Sequence, residues 1–173
     1  MNKVYILGLP ASGKTTTAKW LATELNWGLI DLDDAIEDQE GMTIATIFNK
    51  KGETYFRNLE NSVLRKTAEM NNTVISTGGG IVEFPENIDW MNNHGLTIYL
   101  NADKELILSR IIEKIDERPM FIGLDSQGIR EKLDEILLKR NKMYSKSKML
   151  WNADNPNFNL QNAVNQLIAI YSM

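Results

Sequence analysis

The chain has 173 residues, 43% of them hydrophobic and 24% charged, with a formal net charge of −4 and no cysteine. That length suits one domain whose core buries roughly 70% of the surface an unfolded chain exposes. The charge balance lacks the basic excess that nucleic acid demands, the missing cysteines exclude disulfides and thiolate metal sites, and no apolar run approaches the ~18 residues that cross a bilayer.

In chain order, the apolar run Val4-Tyr5-Ile6-Leu7 reads as a strand over 3–7, and Gly8-Leu9-Pro10-Ala11-Ser12-Gly13-Lys14-Thr15 follows it directly. A helical pattern over 14–26 comes next. Further strands are expected over 28–31, 73–77, 97–101 and 148–152, and helices over 34–40, 44–49, 53–70, 85–93, 104–115, 129–141 and 160–171. Short β-rich runs alternating with longer helical ones define an α/β protein with parallel strands joined by helices. One stretch fits neither period. Residues 113–127, with Arg118-Pro119 and Gly123, read as a mobile surface connection of the kind that closes over a nucleotide, or as a plain solvated loop. The four tryptophans are expected to pack on the sheet or its edge, and His94 to sit on the surface at a helix end.

The spacing G-x-x-x-x-G-K-[ST] between a strand and a helix is that of a phosphate-binding loop, residues 8–15. Backbone N–H groups from Gly8, Ala11, Ser12, Gly13 and Thr16 turn toward phosphate oxygens, and the helix start adds its positive end. Lys14 would reach the β- and γ-phosphates, and the Thr15 hydroxyl would meet Mg²⁺. A nucleoside triphosphate such as ATP is the implied ligand.

Acceptor residues are sought just past the strand ends, where open parallel sheets collect ligands. Asp31 and Asp33 share a face if strand geometry persists, so one could hold a metal ion through water while the other takes the proton of an attacking hydroxyl. The alternative is an acidic helix start, which suits Asp34 best. Thr77-Gly78-Gly79-Gly80 offers bare backbone either to a small substrate or to a tight turn. Arg57 and Glu60 lie on one helix face, either as a surface ion pair or as an oriented guanidinium gripping a carboxylate. With only six arginines in the chain, a small hydroxy acid fits better than a second nucleotide.

At this point the chain resembles the shikimate kinase family over nearly its whole length. The ordered series that carries the resemblance is the P-loop; Asp31-x-Asp33 with Ala35-Ile36-Glu37; Gly41-Met42-Thr43-Ile44; Gly52-Glu53 with Phe56-Arg57 and Glu60; Thr77-Gly78-Gly79-Gly80; Arg118-Pro119; and Arg140 four residues before Tyr144. The resemblance implies a P-loop NTPase fold of the nucleoside-monophosphate-kinase type, a three-layer α/β/α sandwich with a five-stranded parallel sheet in the order 2-3-1-4-5. It implies one kinase domain over 1–173, with a substrate-binding region at about 32–60 and a lid at about 113–127.

The implied reaction moves the γ-phosphoryl of ATP to the 3-hydroxyl of shikimate, with Mg²⁺ as cofactor, in a cytoplasmic monomer. On this reading Lys14, Asp33 and Arg118 are catalytic, and Thr15 and Asp31 serve the metal. Asp33, Arg57, Gly78, Gly79, Gly80 and Arg140 bind shikimate, and Arg110 and Pro156 flank the adenine. The competing readings are a gluconate kinase, which should not need Arg57 and Arg140 together with the glycine triplet, a nucleoside monophosphate kinase, and a silent nucleotide-binding module, which would be expected to have lost Lys14, Asp33 or an acceptor arginine. Ala11 departs from the family, which usually has another glycine there, and a positive φ at that position would strain alanine by about 1 kcal/mol.

Overall fold

The structure, a computed structural model, describes residues 2–152 together with Asn162 and Ala169. The helix expected over 160–171 therefore lies, apart from those two residues, outside the described residues, as does Pro156, expected beside the adenine. Five parallel strands, β1 (Lys3–Leu7), β2 (Gly28–Asp31), β3 (Thr73–Ser76), β4 (Leu96–Asn101) and β5 (Met149–Asn152), form one sheet in the order β2-β3-β1-β4-β5. This is the expected order. Seven α-helices are described: α1 (Lys14–Leu25), α2 (Leu32–Glu40), α3 (Ile44–Lys51), α4 (Glu53–Lys66), α5 (Pro85–His94), α6 (Lys104–Glu113) and α7 (Ser126–Tyr144).

The central strand shows why the layers number three. β1 is buried along its whole length, and its alternating side chains feed two separate cores. Tyr5 and Leu7 join Ile75, Leu32, Leu64, Ile107 and Tyr144 on one face. Val4 and Ile6 join Val74, Ile98, Ala18, Leu21 and Trp151 on the other. Each such aliphatic side chain taken fully out of water contributes roughly 1.5–3 kcal/mol, so the sheet is fixed from both sides. Trp20 and Trp27 pack partly buried against the second core and Trp90 against the first. His94 ends α5, with its ring stacked 3.9 Å from that of Trp90.

Two expectations need correction. β2 stops at Asp31, which is the N-cap of α2: its Oδ1 accepts a hydrogen bond from the Asp33 N–H at 3.0 Å. Asp33 thus sits in the first turn of a helix, and the cap is Asp31 rather than Asp34. Residues 113–127 are also more ordered than composition suggests. They hold two 3₁₀ turns, Ile115–Glu117 and Pro119–Phe121, and Phe121 is fully buried in the first core. Asp125 then caps α7 by accepting from the Gly128 N–H at 2.8 Å. An aromatic anchor at a single position leaves no periodic trace, which is why the segment reads as solvated.

Candidate active site

At the C-terminal edge of the sheet lies a cavity of about 800 Å³ that runs from the P-loop to α4 and α7. Its walls bring together Lys14, Thr15, Asp33, Arg57, Glu60, Gly79, Gly80, Arg110, Arg118 and Arg140. Gly78 lies just outside this lining, its position defined instead by the side chains packed on it. Asp31 also lies behind the wall, reaching the site through Thr15.

The P-loop needs two left-handed residues. Gly13, at the N-cap of α1, has φ 97°, which glycine adopts without cost. Ala11 has φ 61°, so the departure noted in the sequence does fall where a side chain is strained. Alanine in that region costs roughly 1–2 kcal/mol, of which glycine's greater chain entropy would offset part. Ala11→Gly is therefore expected to stabilise the fold by about 0.5–1 kcal/mol, seen as a melting temperature higher by about 1–4 °C in a thermal scan. An unchanged or lower Tm would show that the loop carries no such strain.

Lys14 folds back over its loop and donates to the Leu9 carbonyl at 2.9 Å. Burial pulls its ammonium down to about 8, partly opposed by the Asp33 carboxylate. A polyphosphate would supply the negative charge that this buried lysine lacks. The Thr15 hydroxyl donates to Asp31 Oδ2 at 2.7 Å, with the Ser76 hydroxyl 3.5 Å away. A hydroxyl and a carboxylate are hard oxygen donors, the set that Mg²⁺ prefers. These residues fit such an ion. Arg110, expected beside the adenine, donates from Nη1 to the Ala11 carbonyl at 3.2 Å and so lies over the P-loop.

The part of the cavity that faces α4 and α7 is organised around the glycine triplet. A Cβ on Gly78 would overlap Glu60 Oε1 and fall 2.7 Å from Asp33 Oδ1, and one on Gly80 would overlap the Arg57 guanidinium. On Gly79 it would press within 3.0 Å of Pro10 Cγ. The triplet's backbone is not left-handed at any of the three positions. The glycines are there because Asp33, Glu60, Arg57 and Pro10 pack directly on the main chain, a third explanation beside the substrate approach and tight turn read from the sequence. Gly79 also offers its carbonyl to Arg140 Nη1 at 2.8 Å and to the Tyr144 hydroxyl at 3.1 Å. Three consecutive residues thus gather Asp33, Glu60, Arg57 and Arg140.

Arg57 and Glu60 form a buried ion pair rather than a surface one, 8% and 2% exposed. Burial pushes the Glu60 carboxyl up against the pull of the Arg57 charge; burial would lower Arg57, but Glu60 and Glu53 together raise it. Arg57 Nε and Glu60 Oε1 are buried without a hydrogen-bond partner among the described residues. Buried orphans of this kind are costly, at about 1–3 kcal/mol each. Asp33 is raised to about 7, first by burial and then by the Glu60 and Asp31 charges, with Lys14 and Arg57 pulling it down. A carboxylate so poised is suited to accept a proton near neutrality.

Sequence reasoning missed three residues here. Glu53 accepts from Arg57 Nη2 at 3.1 Å. Glu83 accepts from Arg140 Nε at 3.0 Å and from Nη2 at 2.5 Å. Asn87, fully buried, donates to the Ile81 carbonyl at 2.9 Å and so fixes the turn after the triplet. Only Glu53 left a signal, three residues ahead of Phe56-Arg57 in the motif series.

A family model described as Shikimate kinase matches residues 10–170. A shikimate kinase of Bacteroides thetaiotaomicron is 35% identical over 154 residues, 89% of this chain and 88% of the relative. One from Caldanaerobacter subterraneus subsp. tengcongensis is 42% identical over 136 residues, 78% of this chain and 79% of the relative. The crystal structure of shikimate kinase from Bacteroides thetaiotaomicron matches with a TM-score of 0.87 and 32% identity over 99% of both chains. The shikimate kinase of Acinetobacter baumannii, solved in complex with shikimate, matches with a TM-score of 0.86 and 28% identity, covering 99% of this chain and 94% of that one. Fold, motif order and identity over most of the length agree, and the chain belongs to the shikimate kinase family.

Proposed function

We propose that the chain transfers the γ-phosphoryl of ATP to the 3-hydroxyl of shikimate, as one kinase domain acting as a cytoplasmic monomer. The observation that carries this reading is the gathering of two guanidinium groups and Asp33 around one glycine triplet, in the cavity that also holds the P-loop lysine. Arg57 and Arg140 grip the acceptor carboxylate, Glu60 holds Arg57, and the Gly78–Gly80 backbone lies against the ring. Asp33 orients the acceptor hydroxyl and takes its proton. Lys14 and Arg118 offset the charge that develops on the moving phosphoryl, since this chemistry asks for positioning and charge neutralisation above all. Gly8, Ala11, Ser12, Gly13 and Thr16 cradle the phosphates, and Arg110 and Pro156 enclose the adenine. Thr15 and Asp31 would hold Mg²⁺, which when bound neutralises phosphate charge. No helix among the described residues is long and apolar enough to cross a membrane, which fits the location proposed.

A coupled ADP-release assay comparing shikimate, gluconate and AMP tests the acceptor. Turnover is expected with shikimate alone; activity only with gluconate or AMP would overturn the reading. Arg57→Ala and Arg140→Ala are each expected to raise the shikimate KM by about 10–100-fold, the loss of a charge-assisted hydrogen-bonded pair, while moving the ATP KM less than about threefold. Equal losses for both ligands would remove the carboxylate clamp.

A further inference from the structure

Each of the two arginines in the acceptor half of the cavity is backed by a carboxylate. For Arg57 the partner is Glu60, itself a cavity residue. For Arg140 it is Glu83, which is not among the cavity-lining residues: Arg140 lines the wall, with its side chain 4% exposed, while the Glu83 side chain is 38% exposed.

The hydrogen bonds divide the guanidinium in a particular way. Glu83 Oε1 accepts from both Nε and Nη2, and the Gly79 carbonyl accepts from Nη1. A guanidinium carries five N–H donors, one on Nε and two on each terminal nitrogen. These bonds take the Nε donor and one on each terminal nitrogen, and the Tyr144 hydroxyl is hydrogen-bonded to the same group, which leaves a further N–H donor for a ligand carboxylate. Glu83 is itself pinned. It closes the 3₁₀ turn Ile81–Glu83, and its own N–H donates to the Gly80 carbonyl at 2.8 Å. Arg140 on α7 is thereby registered to the glycine triplet twice, directly through Gly79 and indirectly through Glu83.

We propose that Glu83 is a positioning residue for the acceptor: it fixes the Arg140 guanidinium in the orientation in which it meets the substrate carboxylate. This rests on the reading that Arg140 grips that carboxylate. Two opposed effects make the inference sharp. By charge alone, Glu83 repels an anionic acceptor, and removing it would tighten binding. By positioning, its removal frees a long side chain that must then be ordered at each binding event, and weakens binding. The short contacts and the pinned turn make positioning the larger effect.

The test uses full-length Glu83→Ala, Glu83→Gln, Arg140→Ala and the Glu83→Ala/Arg140→Ala pair, each assayed against shikimate and ATP, with thermal scans to verify folding. Glu83→Ala is expected to raise the shikimate KM about tenfold, the equivalent of one charged hydrogen bond, with kcat and the ATP KM changed less than about twofold. Glu83→Gln keeps an oxygen acceptor and the side-chain volume, and should fall between. In the Arg140→Ala background, Glu83→Ala should add nothing, because a residue that acts through Arg140 has nothing left to hold. A shikimate KM unchanged or lowered in Glu83→Ala while Arg140→Ala raises it would overturn the role of Glu83 alone. An unmoved shikimate KM in Arg140→Ala would overturn both this inference and the carboxylate grip beneath it.

Discussion

Asp33→Asn is expected to lower kcat by about 10²–10⁴-fold with shikimate as acceptor, the range for loss of a general base, while the ATP KM stays within about twofold. Asparagine keeps the size and can still receive a hydrogen bond, but it cannot take up the proton released as the hydroxyl attacks. Because burial raises Asp33 to about 7, the wild-type kcat/KM should fall on the acid side of that value, as the carboxyl protonates. The variant should lose this limb.

Stability moves the other way. A carboxyl with a folded-state pKa above its unfolded value of 3.8 binds more protons when folded, so its ionisation costs stability as pH rises from about 4 to about 7. Asp33→Asn should accordingly raise Tm more at pH 8 than at pH 5, and hardly at all near pH 4. An unchanged kcat would take Asp33 out of the chemistry. A Tm gain independent of pH would show that its charge is not the strained element.

Gly80→Ala is expected to cost at least about 100-fold in kcat/KM for shikimate, the scale attached to a displacement of about 1 Å at a reacting site. The backbone of Gly80, φ −93° and ψ 0°, is open to alanine, so the loss would come from one collision. The new methyl would occupy the space of the Arg57 Nη1 and Cζ atoms. An arginine tip normally swings away at little cost. Here it is pinned by Glu60, 2% exposed, and by Glu53, and moving it would break a buried ion pair. Steady-state kinetics and a crystal structure of the variant check the point; wild-type affinity with Arg57 unmoved would mean the site is looser than its contacts indicate.

What was legible in the sequence follows from which features are local. The sheet and most helices were visible because period-two and period-3.6 patterns are local, and the P-loop because its chemistry is written in eight adjacent residues. Asp33, Arg57, the glycine triplet and Arg140 could be named because they fall in an ordered motif series. Their reasons could not all be read. The glycines answer to side chains arriving from α2, α4 and the P-loop, and Glu83 meets Arg140 across 57 positions of sequence. The dual use of Asp31, one oxygen on the helix start and the other on Thr15, likewise needs the strand to end where it does.

Phe121 has a mechanical consequence for the segment that bears Arg118. Because its ring is sunk in the core, the stretch is stapled near its middle, and hinging as one flap would require drawing that ring out. With the ring in place two short arms are left free to move, 114–120 carrying the arginine and 122–125 carrying the exposed Ile122 and Leu124. Neither can swing farther than its own contour of about 3.5 Å per residue permits, so Arg118 is kept on a short leash whatever the rest of the segment does.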